Sequence, residues 1–296
     1  MIIDCHYHLD TEMVPLDALI QSMDRHGINR VALIPRLNPP IYMNPLLAKI
    51  ALPVFRHGLH RSSGWLHRAM TAMYRNNVKA DGTVDLLGKR YEVFAQPPNQ
   101  EVKDAVKAHP DRFSGWVFVN PAGPADPIAE IERSMGQAGM IGVKAHPYWH
   151  NYPVRLLETA AAWCEQHDQP MLIHLGAGEN GDFKFLPDQF PRLKILYAHA
   201  GIPESAAVCA LAGERKNVFV DLSSSSYVDF QTARDAVKRA GAGKCLFGSD
   251  GPYFHVQDQT FDFSCQRKMV EKIGLPDPDL KRVLSQNFLE LCGLAG

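Results

Sequence analysis

The stretch IIDCHYHLD, residues 2–10, joins an apolar run to Asp4, His6 and His8 at alternating positions. Successive side chains of a β-strand point to opposite faces, so these three side chains share one face and the residues between them share the other. Two imidazoles on one face can bind one metal ion. Two solvated histidines at a strand end explain this stretch equally well, so the choice depends on the rest of the chain.

Short apolar, β-rich runs recur along the chain and alternate with amphipathic helical stretches. The eight runs are residues 2–8, 29–35, 111–121, 140–147, 169–176, 193–201, 217–224 and 244–252. Alternating strands and helices predict βαβ units and a parallel sheet, and eight strands predict a single α/β domain over residues 1–296, a (β/α)₈ TIM barrel. An open doubly wound sheet is the alternative, but the G-x-G-x-x-G motif that often follows its first strand is absent here.

Residues 36–100 interrupt this alternation, because they are too many for a simple connection between a strand and a helix. Residues 46–76 have helical apolar spacing, which predicts a helical insertion after the second strand, placed as a lid. Between Arg36 and Arg90, nine basic residues against two acidic ones give a net charge of +7. A solvated helix face and an anion-attracting lid both explain this excess.

The composition excludes several classes of protein. The chain has 296 residues, 46% of them hydrophobic, and a formal net charge of −1, which disfavours general nucleic-acid binding. Its six cysteines form no C-x-x-C pair, so we expect reduced thiols. It has neither a signal-peptide pattern nor an apolar run of about 18 residues, so we expect a soluble cytoplasmic protein without membrane contact.

Polar residues stand where the predicted strands end. They are His6 and His8 (strand one), Lys144 and His146 (four), His174 (five), His199 (six), Asp221 to Ser223 (seven) and Asp250 (eight). The carboxyl ends of barrel strands converge on one face, where active sites of this fold lie. A convergence of imidazoles and carboxylates is what a metal site requires, so the whole chain favours the metal interpretation of His6 and His8.

At these residues the chain resembles the amidohydrolase superfamily, within it the amidohydrolase-related group (amidohydrolase 2) that includes aminocarboxymuconate semialdehyde decarboxylase and related decarboxylases and hydrolases. The shared motifs are D-x-H-x-H at residues 4–8, G-V-K-x-H-P at 142–147, I-H at 173–174, A-H-A-G at 198–201 and F-G-S-D-x-P at 247–252. The resemblance covers nearly the whole chain. It implies a distorted (β/α)₈ barrel and a divalent metal ion, usually zinc.

Carried over to this chain, the resemblance implies a role for each matching residue. His6, His8 and His174 would be metal ligands. Asp250 would be both a ligand and the proton acceptor for the attacking water, and His199 would be either a second-metal ligand or an acid/base group. Asp4 lies one strand step before His6, and we expect it to support a ligand rather than to be one.

Lys144 has two interpretations under the resemblance. In binuclear members a carbamylated lysine of the fourth strand bridges two ions, whereas the bridge is absent from the mononuclear group that this chain resembles more. We therefore expect one Zn²⁺, or Mn²⁺ in its place, with Lys144 and His146 contacting the substrate. A second ion with carbamylated Lys144 stays open.

The expected reaction follows from what such an ion does. Bound Zn²⁺ lowers the pKa of water toward 7 and polarises a carbonyl. Asp250 would accept the proton of that water, and His199 would hydrogen-bond the nucleophile or the substrate oxygen. We expect hydrolysis of a small anionic amide, ester or lactone. The alternatives are a metal-dependent non-oxidative decarboxylase of an unsaturated or aromatic carboxylic acid, and a non-catalytic metal-binding barrel.

Hydrolysis is placed first because of one departure from the decarboxylase pattern. Many decarboxylases of this group resemble H-x-G-E after strand six, whereas this chain has HAGIPES at residues 199–205, with Glu204 displaced to three residues after Gly201. The basic insertion and Lys144 suit an anionic substrate in either class. The resemblance also implies a homodimer.

Overall fold

The computed structural model describes residues 1–41, 45–60, 64–79, 81–86, 88–253 and 255–294, without the side chains of residues 45–49. Eight parallel strands lie side by side in chain order. Numbered β1 to β8, they are Ile3–Leu9, Arg30–Pro35, Phe113–Val119, Met140–Ala145, Met171–Ile173, Ile195–Tyr197, Val218–Asp221 and Cys245–Leu246. The predicted (β/α)₈ barrel is confirmed.

The barrel closes where β1 meets the segment that follows β8. The backbone N–H of Cys5 donates to the carbonyl of Phe247 (3.0 Å), and that of His8 donates to Gly251 (2.7 Å). The N–H of Asp250 donates to the carbonyl of His6 at 2.7 Å. Closure therefore brings the histidines of the first strand beside the carboxylate that follows the last strand, although more than 240 residues separate them.

Helices cover the outside of the barrel. Among the described residues the α-helices, α1 to α12, are Leu16–His26, Pro45–Leu59, Trp65–Asn76, Asn99–Ala108, Pro127–Met135, Glu158–Gln166, Phe185–Gln189, Ser205–Glu214, Phe230–Ala240, Ser264–Lys272, Asp277–Lys281 and Asn287–Cys292. Buried apolar side chains form two clusters, one between strands and helices and one inside the barrel. All six cysteines are free.

The first strand does not alternate strictly. Its register with β2 shifts between Asp4 and Tyr7, as in a β-bulge. Cys5 consequently packs in the interior cluster with Trp116, whereas Tyr7 packs in the outer cluster. Strict alternation, which places Cys5 on the face of Tyr7, is therefore wrong at this position. Beyond the bulge, the rings of His6 and His8 lie together, with centroids 5.4 Å apart.

The connection between β2 and α4 contains the predicted helical insertion, formed by α2 and α3. It also contains an antiparallel hairpin of Thr83–Leu86 and Lys89–Glu92, which the helical apolar spacing did not predict. These strands are short and carry several charged residues, so they lack the apolar run of a buried strand. Leu47, Lys49 and Arg61 entered the sequence prediction, but Arg61 and the side chains of Leu47 and Lys49 lie outside the described part.

Several basic side chains of the insertion are paired rather than free. Arg56 pairs with Asp229 at 3.1 Å, and Lys79 and Arg90 both pair with Asp85 at 3.1 Å. These ion pairs favour the interpretation of the +7 charge as a largely solvated, paired surface.

No helix among the described residues is long and apolar enough to cross a membrane.

Candidate metal centre and active site

Asp250 lies between the two imidazoles of β1 at the carboxyl end of the barrel. Its Oδ1 atom is 3.4 Å from Nε2 of His6 and 3.6 Å from Nε2 of His8. All three side chains are buried. These three residues also form one of the two groups of potential ligand atoms that lie within 4.8 Å of one another in the described part of the chain.

Hydrogen bonds orient both imidazoles of this group. Nδ1 of His6 lies 2.9 Å from Oδ2 of Asp221, and Nδ1 of His8 lies 3.2 Å from the carbonyl oxygen of Pro35. Both partners accept hydrogen bonds, so each Nδ1 carries the proton and each Nε2 keeps a free lone pair. Burial lowers the pKa of His6 and of His8 well below the ordinary value, which keeps both rings neutral.

The chemistry of this donor set fits a divalent cation. Two Nε2 lone pairs and a carboxylate oxygen converge, and Nε2 of His6 has no hydrogen-bond partner among the described residues although it is buried. Such an atom is costly to bury unless something satisfies it. Burial also raises the pKa of the Asp250 carboxyl, and the positive charge of Lys144 only partly opposes that rise. Imidazole nitrogen and carboxylate oxygen are ligands that Zn²⁺ and its neighbours accept.

Asp221, at the end of β7, connects the β1 histidines to His199. Its carboxylate accepts hydrogen bonds from the backbone N–H of His199 (2.8 Å) and of Ser223 (3.0 Å), and from the hydroxyl of Ser223. Because that hydroxyl donates to Asp221, its oxygen is free to accept from Nδ1 of His199, 2.8 Å away. Nε2 of His199 is left facing Asp250, 3.9 Å from Oδ2.

The second close group of potential ligand atoms contains His6, His199 and Asp221. The ring nitrogens nearest Asp221 are already used in hydrogen bonds, because Nδ1 of His6 donates to Asp221 and Nδ1 of His199 donates to Ser223. It therefore orients the first group rather than offering a second set of free lone pairs. His199 and Asp250 both adopt left-handed backbone angles, with φ of 54° and 61°, as residues at functional sites often do.

Asp4 contacts the backbone around the site. Its carboxylate accepts from the N–H of His6 and of Ser249, each at 3.0 Å, and from the hydroxyl of Ser249. Burial raises the pKa of Asp4 to about 7. The residue thus ties the first strand to the turn that carries Asp250, and it is in neither close group.

Lys144 is fully buried on β4, and its Nζ atom has no hydrogen-bond partner among the described residues. Burial lowers the pKa of this amine to about 8, while the carboxylates of Asp221 and Asp250 oppose that shift. Lys144 does not belong to the wall of the cavity described below. It therefore lies beneath the cavity, in the field of the two carboxylates.

His174 and His146 lie side by side, with ring centroids 4.1 Å apart. His174 also meets the ring of His199 edge-on at 4.6 Å, but it is in neither close group of ligand atoms. Its Nε2 atom lies 3.1 Å from the hydroxyl of Tyr74, which comes from the insertion and donates to the carbonyl of Leu175. Nδ1 of His146 accepts the backbone N–H of Trp149 at 3.0 Å.

A cavity of about 280 Å³ opens above these residues. Five of the predicted site residues line it and form a polar floor: His8, His146, His174, His199 and Asp250. The remaining wall is mostly apolar and aromatic, with Phe55, Trp149, Tyr227 and Tyr253 among its members. Within the described part of the chain, no arginine or lysine belongs to this wall.

The sequence places this arrangement in a known family. A sequence model of the family described as Amidohydrolase matches residues 3–293. The chain belongs to this amidohydrolase family. No curated protein matches the sequence significantly.

Solved structures share the fold of this amidohydrolase at low sequence identity. A protein described as a probable 2-pyrone-4,6-dicarboxylic acid hydrolase from Acinetobacter baumannii, with citric acid bound, is 15% identical with a TM-score of 0.62, and the match covers 99% of each chain. The 5-carboxyvanillate decarboxylase of Sphingomonas paucimobilis is 14% identical, with a TM-score of 0.59 and 99% of each chain covered.

A dihydroxybenzoic acid decarboxylase from Polaromonas sp. JS666, with bound manganese and an inhibitor, is 16% identical. Its TM-score is 0.58, and the match covers 99% of this chain and 96% of that one. At such identities the likeness to all three structures shows the fold alone.

Some residues of the amidohydrolase site had no assigned role in the sequence. Asp221 and Ser223 were recognised as a polar strand end, but only the folded chain shows that they orient His6 and His199. Tyr74 carries no signal, because nothing in a helical apolar pattern indicates that one tyrosine reaches the end of β5. Trp149 follows the G-V-K-x-H-P motif by two residues, and that proximity is the signal that could have found it.

Proposed function

We propose that this amidohydrolase is a metal-dependent hydrolase of a small amide, ester or lactone. One observation carries the proposal. Two unprotonated Nε2 atoms, of His6 and His8, converge within 3.4 to 3.6 Å on the carboxylate of Asp250. Neutral imidazoles and a carboxylate together bind a divalent ion, and the same carboxylate can accept a proton from water.

His6, His8 and Asp250 would hold the ion, and His174 would join them once its Nε2 leaves the hydroxyl of Tyr74. A divalent ion bound there, Zn²⁺ or Mn²⁺, supplies Lewis-acid activation of water and of a substrate carbonyl. We propose a single ion, because the second close group is occupied by its own hydrogen bonds. Lys144 then stays an amine rather than a carbamylated bridge.

Asp250, His199 and Lys144 have the remaining roles in the proposed reaction. Asp250 accepts the proton of the attacking water, since its carboxylate lies at the cavity floor beside the imidazoles. His199 donates from Nδ1 to Ser223, so its Nε2 faces Asp250 with a free lone pair and accepts a hydrogen bond from the attacking water. Buried Lys144 adds positive charge near Asp221 and Asp250, which opposes the rise in the pKa of Asp250 that burial causes.

The cavity wall favours a compact, largely apolar and planar substrate. Its volume of about 280 Å³ is at the lower end of the range for small-molecule pockets. With no arginine or lysine in the described wall, an anionic group on the substrate would depend on the ion and on Lys144 below it. The proposal that the substrate is anionic therefore rests on the ion and Lys144 alone.

Non-oxidative decarboxylation is the second candidate, and the aromatic wall favours it. The rings of Trp149, Tyr227 and Tyr253 would pack against the ring of an aromatic acid. Against this candidate, Glu204 is exposed and is not among the residues that line the cavity, so it does not stand in for the glutamate of H-x-G-E. Both reactions would use Asp250 and the same ion.

One experiment separates the two reactions. Protein reconstituted with Zn²⁺ or Mn²⁺ is screened in H₂¹⁸O against matched sets of lactones, aryl esters, amides and aromatic carboxylic acids. Hydrolysis places one ¹⁸O atom in the carboxylate product without CO₂, whereas decarboxylation releases CO₂ and leaves no solvent oxygen in the organic product. CO₂ release alone would replace hydrolysis by the second candidate. Stoichiometric metal without turnover of any member of the sets would support a non-catalytic barrel.

A further inference from the structure

The turn at residues 224–229, between β7 and α9, forms part of the cavity wall. It places Ser226 and Tyr227 in that wall. The ring of Tyr227 lies 5.2 Å from the ring of His199 and 5.9 Å from that of His174. A shift of this turn would therefore change the space in which a substrate meets both histidines.

The turn is only partly held by its own backbone. The N–H groups of Tyr227 and Val228 both donate to the carbonyl of Ser224, at 3.1 and 2.8 Å. Ser224 itself has a left-handed backbone with φ of 68°, a conformation that costs a residue with a Cβ some free energy. The carbonyls of Ser225 and Tyr227 are not used by these bonds.

Two side chains of the insertion, one on α2 and one directly after it, take up those carbonyls. Nη1 of Arg56 donates to the carbonyl of Ser225, while Nε of Arg56 donates to the carboxylate of Asp229 at 3.1 Å. Nε2 of His60 donates to the carbonyl of Tyr227. The insertion is thus joined to both ends of the turn through three hydrogen bonds.

The spacing of these residues explains how one helix contributes to two surfaces. His60 directly follows α2, and its backbone N–H donates to the carbonyl of Arg56 at 3.1 Å, so the two side chains, four residues apart, lie on the same face. Ala51, Leu52 and Phe55 of the same helix line the cavity. α2 therefore contributes to the cavity wall directly and also holds the turn that completes it.

We propose that Arg56 and His60 are positioning residues, which hold the turn 224–229 so that Ser226 and Tyr227 form the substrate wall beside His199. The importance of this wall for turnover rests on the proposed function, whereas the restraint on the turn does not. The insertion then sets the shape of the substrate site through a loop of the barrel, besides covering its mouth.

The first test is hydrogen–deuterium exchange of the amides of residues 224–229 in chelator-treated protein. Arg56→Ala and His60→Ala should each raise their exchange rates by about tenfold, because the local opening free energy of the turn falls. His60→Gln, which keeps a side-chain N–H donor, should restore slow exchange. Arg68→Ala removes an exposed arginine of α3 and should leave the rates of the wild type unchanged.

Arg56→Lys sharpens the test, because lysine keeps the charge but not the fork that reaches Ser225 and Asp229 at once. Its exchange rates should lie between those of the wild type and of Arg56→Ala. If Arg56→Ala does not fold, the comparison of His60→Ala with His60→Gln decides the test. Rates within twofold of the wild type in His60→Ala, or no recovery in His60→Gln, would overturn the proposal.

The second test measures the cavity with benzamide, a neutral planar probe, by calorimetry on the same metal-free proteins. Loss of either restraint should weaken benzamide binding by about fivefold, as expected for a change of one hydrogen bond in the wall. Unchanged affinity in variants whose turn exchanges quickly would refute the link between the turn and the substrate wall. Neither measurement needs turnover, so failure of the proposed hydrolysis and failure of this proposal are distinguishable.

Discussion

Oδ1 of Asp250 lies 3.4 Å from Nε2 of His6. These two atoms cannot form a hydrogen bond, because the proton of the His6 ring is on Nδ1, beside Asp221. The partners of Asp250 within 4 Å in the described ion pairs are all imidazoles. The lone pair on Nε2 of His6 and the carboxylate of Asp250, buried side by side, favour a cation bound between them. The account of the site depends on this relationship.

Replacing Asp250 by Asn keeps the shape of the side chain but removes the charge and the proton acceptor. Turnover should fall by about 10³-fold or more, because general-base catalysis alone contributes about 10² to 10⁴. Steady-state rates on the substrate found in the screen, with metal content measured in parallel, provide the check. Asp111→Asn changes an exposed aspartate outside the site and should keep the wild-type rate. Near-normal turnover in Asp250→Asn would remove the carboxylate from the mechanism.

Adding Zn²⁺ to chelator-treated protein should raise its melting temperature. Ligand at about 100 times its dissociation constant stabilises the folded state by about 2.7 kcal/mol. His8→Ala removes one of the converging lone pairs and should lose most of this shift in a calorimetric or fluorescence melt. His167→Ala, at an exposed histidine, should keep it. An equal shift in both variants would indicate adventitious surface binding.

Lys144→Met replaces a buried amine, which has no hydrogen-bond partner in the described part of the chain, by an apolar side chain of similar length. The pKa of the amine is lowered from 10.5 to about 8, so the unfolded chain binds its proton more tightly than the folded chain does. The metal-free wild type should therefore gain stability relative to Lys144→Met as the pH rises from 8 toward 10.5. Urea denaturation of both proteins across this range tests the sign. A constant difference in the free energy of unfolding would contradict a lowered pKa.

The same variant distinguishes one ion from two. On the single-ion account, Lys144→Met keeps its metal content while turnover falls, because the positive charge below Asp221 and Asp250 is lost. A carbamylated bridge would instead make the variant lose about half of the bound metal. Elemental analysis of wild type and variant, purified together, separates the two accounts.

Tyr74→Phe tests how the insertion is attached to the barrel. The change leaves the carbonyl of Leu175 and Nε2 of His174 without their shared partner, so the metal-free protein should lose about 1 to 3 kcal/mol of stability. Tyr7→Phe is a matched control, since the buried hydroxyl of Tyr7 has no hydrogen-bond partner among the described residues. Equal destabilisation in the two variants, measured by urea unfolding, would argue against a specific role for the Tyr74 contact.

The sequence predicted the barrel because its signal is repeated and local. Each strand is a short apolar run, and six of the eight end in the polar residues that converge, so the fold and the set of converging residues follow from one pattern. The pairing of β1 with the segment after β8 then brings His6 and Asp250 together, as the closed barrel requires.

The parts that the sequence did not predict depend on contacts between distant segments. The bulge at Cys5 arises from the register with β2, and the role of Asp221 arises from its place beside β1. The contacts of Tyr74 and Arg56 require knowing where the insertion packs. Helical periodicity predicts that a helix forms, but it does not indicate which neighbour its polar groups reach.

Metal content per chain tests the central claim most directly. Protein purified without chelator, or reconstituted and freed of excess ion, is measured by elemental analysis beside His6→Ala and the surface control His167→Ala. The account predicts about one Zn²⁺ or Mn²⁺ per chain in the wild type and in His167→Ala, and much less in His6→Ala. A wild type that retains no metal after reconstitution, or a His6→Ala variant that retains all of it, would contradict the proposed centre.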